Sequence, residues 1–220
     1  MMNAVIFDMD GVIVDSEIQW KTLEGYFLQS LIPTWSSSDQ DKIIGLGVHD
    51  LYTLLIGQYG LQKTKAQFLE LYQEMANEIY GQKVSLIVGF SDLLTTLNKN
   101  NIPVALASSS PKSWINIMLR RFGLQSSFKV VVSADELEGE GKPSPAIYLL
   151  TAQRLGVSPT SCIAIEDSKN GVLSAKNAGM FCIGFRNGFN EEQDLSKADM
   201  IIHGFAELHW QTLQQLLNIS

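Results

Sequence analysis

A doubly wound parallel α/β sheet carrying an all-helical insert is the fold this sequence predicts, on three observations. Short, continuously apolar runs recur at 4–7, 102–107, 128–133, 162–165 and 181–185, the pattern of strands buried on both faces. From residue 84 onward these runs alternate with amphipathic helical stretches, the layout of parallel strands joined by crossover helices. Between the first run and that alternation, about 16–83, the periodicity is helical and no strand-like run occurs.

The elements follow in order. Ala4 to Phe7 is the first strand, ending in Asp8-Met9-Asp10-Gly11. If the strand runs on to Asp10, Asp8 and Asp10 face the same way, because side chains alternate along a strand. Ser16-Glu17-Ile18-Gln19 matches a capping box with Ser16 as the cap. Trp20, Leu23, Phe27 and Leu31 then repeat at helical spacing up to Ile32-Pro33. Ser36 to Asp39 opens a second helix that Gly45-Leu46-Gly47 breaks. Leu51 to Tyr59 forms a third, ending near Gly60, and Phe68 to Ile79 a fourth. The aromatic and leucine stripes of these helices, Trp20 and Trp35 included, read as core. After Val84 come a helix with Leu93, Leu94 and Leu97, the strand 102–107, and a helix with Pro111 in its first position and Ser110 as its cap. Strand 128–133, a helix from Ser144-Pro145 to Gly156, strand 162–165 ending in Glu166-Asp167, a helix stopping at Gly179, strand 181–185, a short strand at 199–202 and a closing helix complete the chain.

Composition narrows the function. The 220 residues are 45% hydrophobic and 18% charged, with no low-complexity tract, which suits one large domain or a domain with an insert. The net charge of −7 without a basic block argues against nucleic acid. Cys162 and Cys182 sit in strand-like runs and read as buried free thiols rather than metal ligands. No signal segment precedes the first strand and no apolar run is long enough to span a membrane, so a cytoplasmic protein with no membrane partner is expected.

In a parallel sheet, ligands sit outside the carboxyl ends of the strands. That rule brings together Asp8 and Asp10, Ser108 and Ser109, and Glu166 and Asp167, with Lys142 from a loop before a helix. Several carboxylates at one point need a cation, and oxygen donors without histidine or cysteine favour Mg2+. A hydroxyl from Ser108, a backbone N–H from Ser109 and the charge of Lys142 would receive an anion. The set describes phosphoryl transfer: Asp8 attacks phosphorus, and Asp10 protonates the leaving alcohol and then deprotonates water.

Asp8-Met9-Asp10-Gly11-Val12, Ala107-Ser108-Ser109-Ser110, Gly141-Lys142-Pro143-Ser144-Pro145 and Ile165-Glu166-Asp167-Ser168 resemble, in order, the four motifs of the haloacid dehalogenase-like hydrolases. Asp15-Ser16-Glu17 and Gly141-Lys142-Pro143 make the chain similar to their β-phosphoglucomutase and sugar-phosphatase branch. The resemblance implies a Rossmann-like core over 1–15 and 84–220 and an inserted helical cap over 16–83 that opens and closes over the substrate. It implies that Asp8 is nucleophile and metal ligand, that Asp10 is acid/base with its carbonyl on Mg2+, and that Ser108 and the Ser109 N–H bind the phosphoryl group. Lys142 would bridge phosphate and nucleophile, and Asp167 would ligate Mg2+ with Glu166 as ligand or support.

Specificity would rest on Glu17, Gly45 and His49, in the segment entering the insert and in its loop. Segment 43–50 lacks the lysine and arginine with which β-phosphoglucomutases grip a second phosphate. Ala146 and Val88 also depart from the branch, which often has an acidic residue and a proline there. The expected function is therefore a magnesium-dependent phosphatase of small phosphorylated metabolites, sugar phosphates foremost, with a monomer as the default. The rivals are a phosphoglucomutase-type isomerase, a dehalogenase, against which Asp10 argues, and an inactive binding protein on the same fold.

Overall fold

The computed structural model describes residues 4–43, 46–139 and 141–217. Among them lie six strands: β1 (Ala4–Phe7), β2 (Val104–Ser108), β3 (Val130–Ser133), β4 (Cys162–Glu166), β5 (Phe181–Phe185) and β6 (Met200–Ile202). They form one sheet in the order β3-β2-β1-β4-β5-β6 with every pairing parallel. The chain builds outward from β1 to one edge, then returns to β1's other side for β4. That reversal is a topological switch point, where the crossovers diverge and a crevice opens at the strand ends.

Alternation along the strands explains the two layers. Val5, Phe7, Val104, Leu106, Ile163 and Ile165 fall in one buried cluster; Ala4, Ile6, Ala105, Ala107, Cys162 and Ala164 fall in another. The first cluster packs α5 (Phe90–Lys99), α6 (Lys112–Arg121) and α9 (Trp210–Leu217) against the sheet. The second packs α7 (Ala146–Leu155) and α8 (Lys169–Asn177) on the opposite face. Small residues dominate the second strand face and large ones the first, so the two helix layers approach differently. Both cysteines are free and buried, and burial raises the Cys162 thiol to about 11, which keeps it protonated.

Between β1 and α5 the chain is helical: α1 (Ser16–Leu31), α2 (Ser37–Ile43), α3 (Val48–Tyr59) and α4 (Lys65–Glu78), followed by a π-helical turn over Ile79–Lys83. Thr64 caps α4 with a complete capping box to Gln67, and Gly60 ends α3 in the left-handed region. The two crossings into and out of this helical block run side by side. Val14 bridges Leu86, the Asp15 N–H donates to the Ser85 carbonyl, and the Ile87 N–H donates to the Ile13 carbonyl. The Asp15 carboxylate accepts from the Ser85 N–H at 2.6 Å, so Asp15 fastens one crossing to the other. Val88, beside them, is exposed. No helix of the described residues is long and apolar enough to cross a membrane.

Candidate active site

The site is assembled from strand ends. β1 stops at Phe7, but the Asp8 N–H still donates to the Ile165 carbonyl, which sets Asp8 beside the end of β4. β4 ends at Glu166, followed by Asp167. Asp8, Glu166 and Asp167 are all buried and bring one carboxylate oxygen each within 4.8 Å of one another. Lys142 reaches into the group, with Nζ 2.6 Å from Asp8 Oδ1 and 2.5 Å from Glu166 Oε1. The Tyr148 hydroxyl donates to the same Glu166 oxygen at 2.6 Å.

Burial dominates the electrostatics. It pushes Asp8 up to about 8, with the Glu166 and Asp10 carboxylates adding to the effect and Lys142 opposing it. Asp167 is raised well above the usual range by burial, then by Glu17, Asp8 and Glu166. Burial alone would lower Lys142, but Asp8 and Glu166 outweigh it and hold the ammonium form above its ordinary value. One lysine among three buried carboxylates leaves an excess of negative charge. An oxygen-only donor set with that excess fits a hard divalent cation.

Two glycines make room for this packing. A Cβ on Gly11, whose φ is +71°, would lie 1.9 Å from Asp167 Oδ2, and one on Gly171 would lie 1.9 Å from Glu166 Oε2. Glu166 cannot swing aside, because Lys142 and Tyr148 pin its carboxylate inside the protein. Gly171→Ala is therefore expected to break the Lys142–Glu166 pair and cost about 3 kcal/mol, a fall in Tm of roughly 6–12 °C by thermal denaturation.

Asp10 has different company. The strand does not continue to it, as the alternation argument required; Asp10 lies in the turn after β1 and bridges Val14. Its carboxylate accepts three hydroxyls: Ser16 at 2.5 Å, Tyr80 at 2.5 Å and Ser110 at 2.7 Å. The Trp20 indole N–H donates to the Tyr80 oxygen at 3.0 Å, joining α1 to that set. Two expected helix caps fail for this reason. Asp15, not Ser16, occupies the cap position of α1, and Pro111, not Ser110, that of α6, because both serine hydroxyls are given to Asp10.

Above these groups lies a cavity of about 560 Å³, enclosed by the strand ends and the helical block. Ser108, at the end of β2, lines it and accepts the Ser110 N–H at 3.0 Å; Ser109, Lys142 and Asp167 line it as well. Glu17, on the first turn of α1, lines it too, and burial followed by the Asp10 charge raises its carboxyl to about 7. His49 does not line it. Its ring is half exposed and faces Asp135, with Nε2 3.8 Å from the carboxylate. Gly45 lies outside the described residues.

Sequence reasoning missed several residues that the fold brings in. Asn187, just after β5, donates to both Asp167 Oδ2 (3.0 Å) and the Gly11 carbonyl (2.9 Å). Its place at a strand's carboxyl end was a signal that could have found it. Ser16, Tyr80 and Tyr148 carried no such signal. Trp20, expected in the core, packs between Trp114 and Tyr72 but also forms part of the cavity wall.

Residues 5–185 match the family model for haloacid dehalogenase-like hydrolases. A phosphorylated carbohydrates phosphatase of Thermotoga maritima is 30% identical, over 91% of this chain and 93% of its own. A β-phosphoglucomutase of Bacillus subtilis is 32% identical, over 97% of this chain and 95% of its own. Among solved structures, a β-phosphoglucomutase from Clostridium difficile superposes with a TM-score of 0.78 at 26% identity, covering 99% of this chain and 98% of that one.

Proposed function

The chain belongs to the haloacid dehalogenase-like hydrolases, and from that membership we propose that it is a magnesium-dependent phosphatase of small phosphorylated metabolites, sugar phosphates foremost. The observation that carries this reading is Asp8: a carboxylate at the base of a cavity, 2.6 Å from a buried lysine and grouped with two further buried carboxylates.

Asp8 is the nucleophile and forms an aspartyl phosphate as the alcohol departs. Asp10 delivers the proton to the leaving oxygen and then takes one from the attacking water. Its three hydroxyl donors hold the carboxylate at the cavity wall while it exchanges that proton. Ser108 and the Ser109 N–H receive the phosphoryl oxygens, and Lys142 neutralises charge on phosphate and nucleophile together. Asp8, Asp167 and Glu166, with the Asp10 carbonyl, would hold Mg2+, which when bound supplies positive charge to the phosphoryl group. Residues 1–15 and 84–220 form the catalytic core and 16–83 a helical cap, with the paired crossings at Val14 and Leu86 as the hinge that lets substrate in and bulk water out.

A panel of phosphate monoesters assayed by released inorganic phosphate tests the reading. Turnover is expected with Mg2+, a fall of at least about 100-fold on chelation with EDTA, and recovery when Mg2+ is restored. Absence of magnesium-dependent release across the panel would overturn it.

A further inference from the structure

Among the residues lining the cavity is a carboxylate that the proposed chemistry does not use. Glu24 lies on α1, two turns beyond Glu17, and lines the cavity with Gln40 from α2 and Tyr72 from α4. Its two oxygens are each engaged once: the Tyr72 hydroxyl donates to Oε1 at 2.9 Å and the Gln40 amide to Oε2 at 2.7 Å. Gln40 is itself oriented, because its carbonyl oxygen accepts the buried Trp35 indole N–H at 3.0 Å. A carboxylate offers about four acceptor positions, so each oxygen of Glu24 keeps one for another donor. Lys21, one turn before Glu24 on α1, also lines the cavity but makes no ion pair with it. Glu24 has no salt-bridge partner among the described residues, and burial raises its carboxyl above the ordinary value.

We infer that Glu24, held by Gln40 and Tyr72, is the specificity-determining residue for the leaving group, and that it takes a neutral polyhydroxylated alcohol. The two oxygens of a fixed carboxylate match the paired hydroxyls of a vicinal diol, each accepting one hydrogen bond. Trp20, packed between Trp114 and Tyr72, gives the same pocket an apolar wall for the carbon skeleton. A second phosphate or a carboxylate on the leaving group would meet Glu24 as a like charge, which disfavours bisphosphates and phosphorylated acids. This deepens the phosphatase reading and rests on it.

Steady-state kinetics with Mg2+ on four probes test it: sorbitol 6-phosphate, fructose 1,6-bisphosphate, 2-phosphoglycolate and p-nitrophenyl phosphate. In the wild-type protein, kcat/KM for sorbitol 6-phosphate is expected to exceed that for the bisphosphate and for phosphoglycolate at least about tenfold. In Glu24→Gln, the ratio of kcat/KM for sorbitol 6-phosphate to that for p-nitrophenyl phosphate is expected to fall about fivefold or more, chiefly through KM, because a ground-state contact is lost. A smaller fall in a variant that melts like the wild type overturns the inference. So does a wild-type preference for the bisphosphate or the acid, an arm that needs no variant. If the wild-type protein turns over none of the four esters, the failure is of the phosphatase reading itself.

Discussion

Asp8→Asn is expected to abolish phosphate release, by at least about 10^4-fold, while leaving the protein as stable as before or more so. The activity loss follows from removing the attacking oxygen: an amide cannot form the acyl phosphate, and the groups that remain only bind and orient. The stability result follows from the surroundings. Burial and two neighbouring carboxylates raise Asp8 to about 8, so near neutral pH the folded protein favours its uncharged form. The sign is that of a raised folded-state value. The stability linked to protonation is complete below the ordinary carboxylate range and lost as pH climbs through about 8. Asparagine stays neutral throughout, so the Tm advantage of the variant in metal-free buffer should widen from pH 5 to pH 9. Acid-quench measurements should find no phosphorylated protein, and Mg2+ should raise the variant's Tm less than the wild type's. Turnover within tenfold of wild type would remove Asp8 from the centre of the mechanism.

Lys142→Ala is expected to fail in the opposite manner, losing both activity and stability. The Nζ bridges Asp8 and Glu166 inside the protein, and its removal leaves two buried carboxylates facing each other without a counter-charge. Breaking a buried pair from one side costs about 3–5 kcal/mol, or roughly 6–20 °C of Tm in a chain of this size. Turnover should fall by about 10^2–10^3, the usual loss when one donor to a developing charge is removed. The contrast between the two variants is the informative part: neutralising one acid relieves the crowd, and removing the base aggravates it. A Lys142→Ala variant that melts with the wild type would show that the pair carries no weight in the fold.

What the sequence made legible was whatever is local or set by position on the sheet. Ala4–Phe7 is apolar at every residue and Cys162–Glu166 at all but its last, because both faces are covered, and the polar groups at their ends therefore stand out. Asp8, Glu166 and Asp167 were readable for that reason, and Lys142 through its motif. The errors came where a side chain is claimed by a distant partner. Ser16 and Ser110 look like helix caps in isolation, yet Asp10, 6 and 100 residues away, takes both hydroxyls. Tyr80 reaches Asp10 across 70 residues, and Tyr72 reaches Glu24 across 48, pairings that helical periodicity reads only as core. His49, on the first turn of α3, approaches Asp135 and is not among the cavity-lining residues, an orientation its place in the sequence does not reveal. The lack of a basic clamp in segment 43–50 is visible in the sequence itself, whereas the place of Glu24 in the pocket depends on the packing of α1, α2 and α4.

The central position of β1 also has a consequence for synthesis. It leaves the ribosome before the other strands of its sheet, yet it pairs with Val104 on one side and Cys162 on the other, partners made about 100 and 160 residues later. At roughly 5–20 residues per second, Ala-Val-Ile-Phe waits on the order of 8–30 s for its second neighbour. The helices that follow it make mostly contacts near in sequence and can gather within that interval, whereas the sheet must close around a strand held in reserve. Asp8, the proposed nucleophile, follows directly on that strand. The grouping of Asp8 with Glu166 and Asp167 therefore cannot form until β4 has been made and paired with β1.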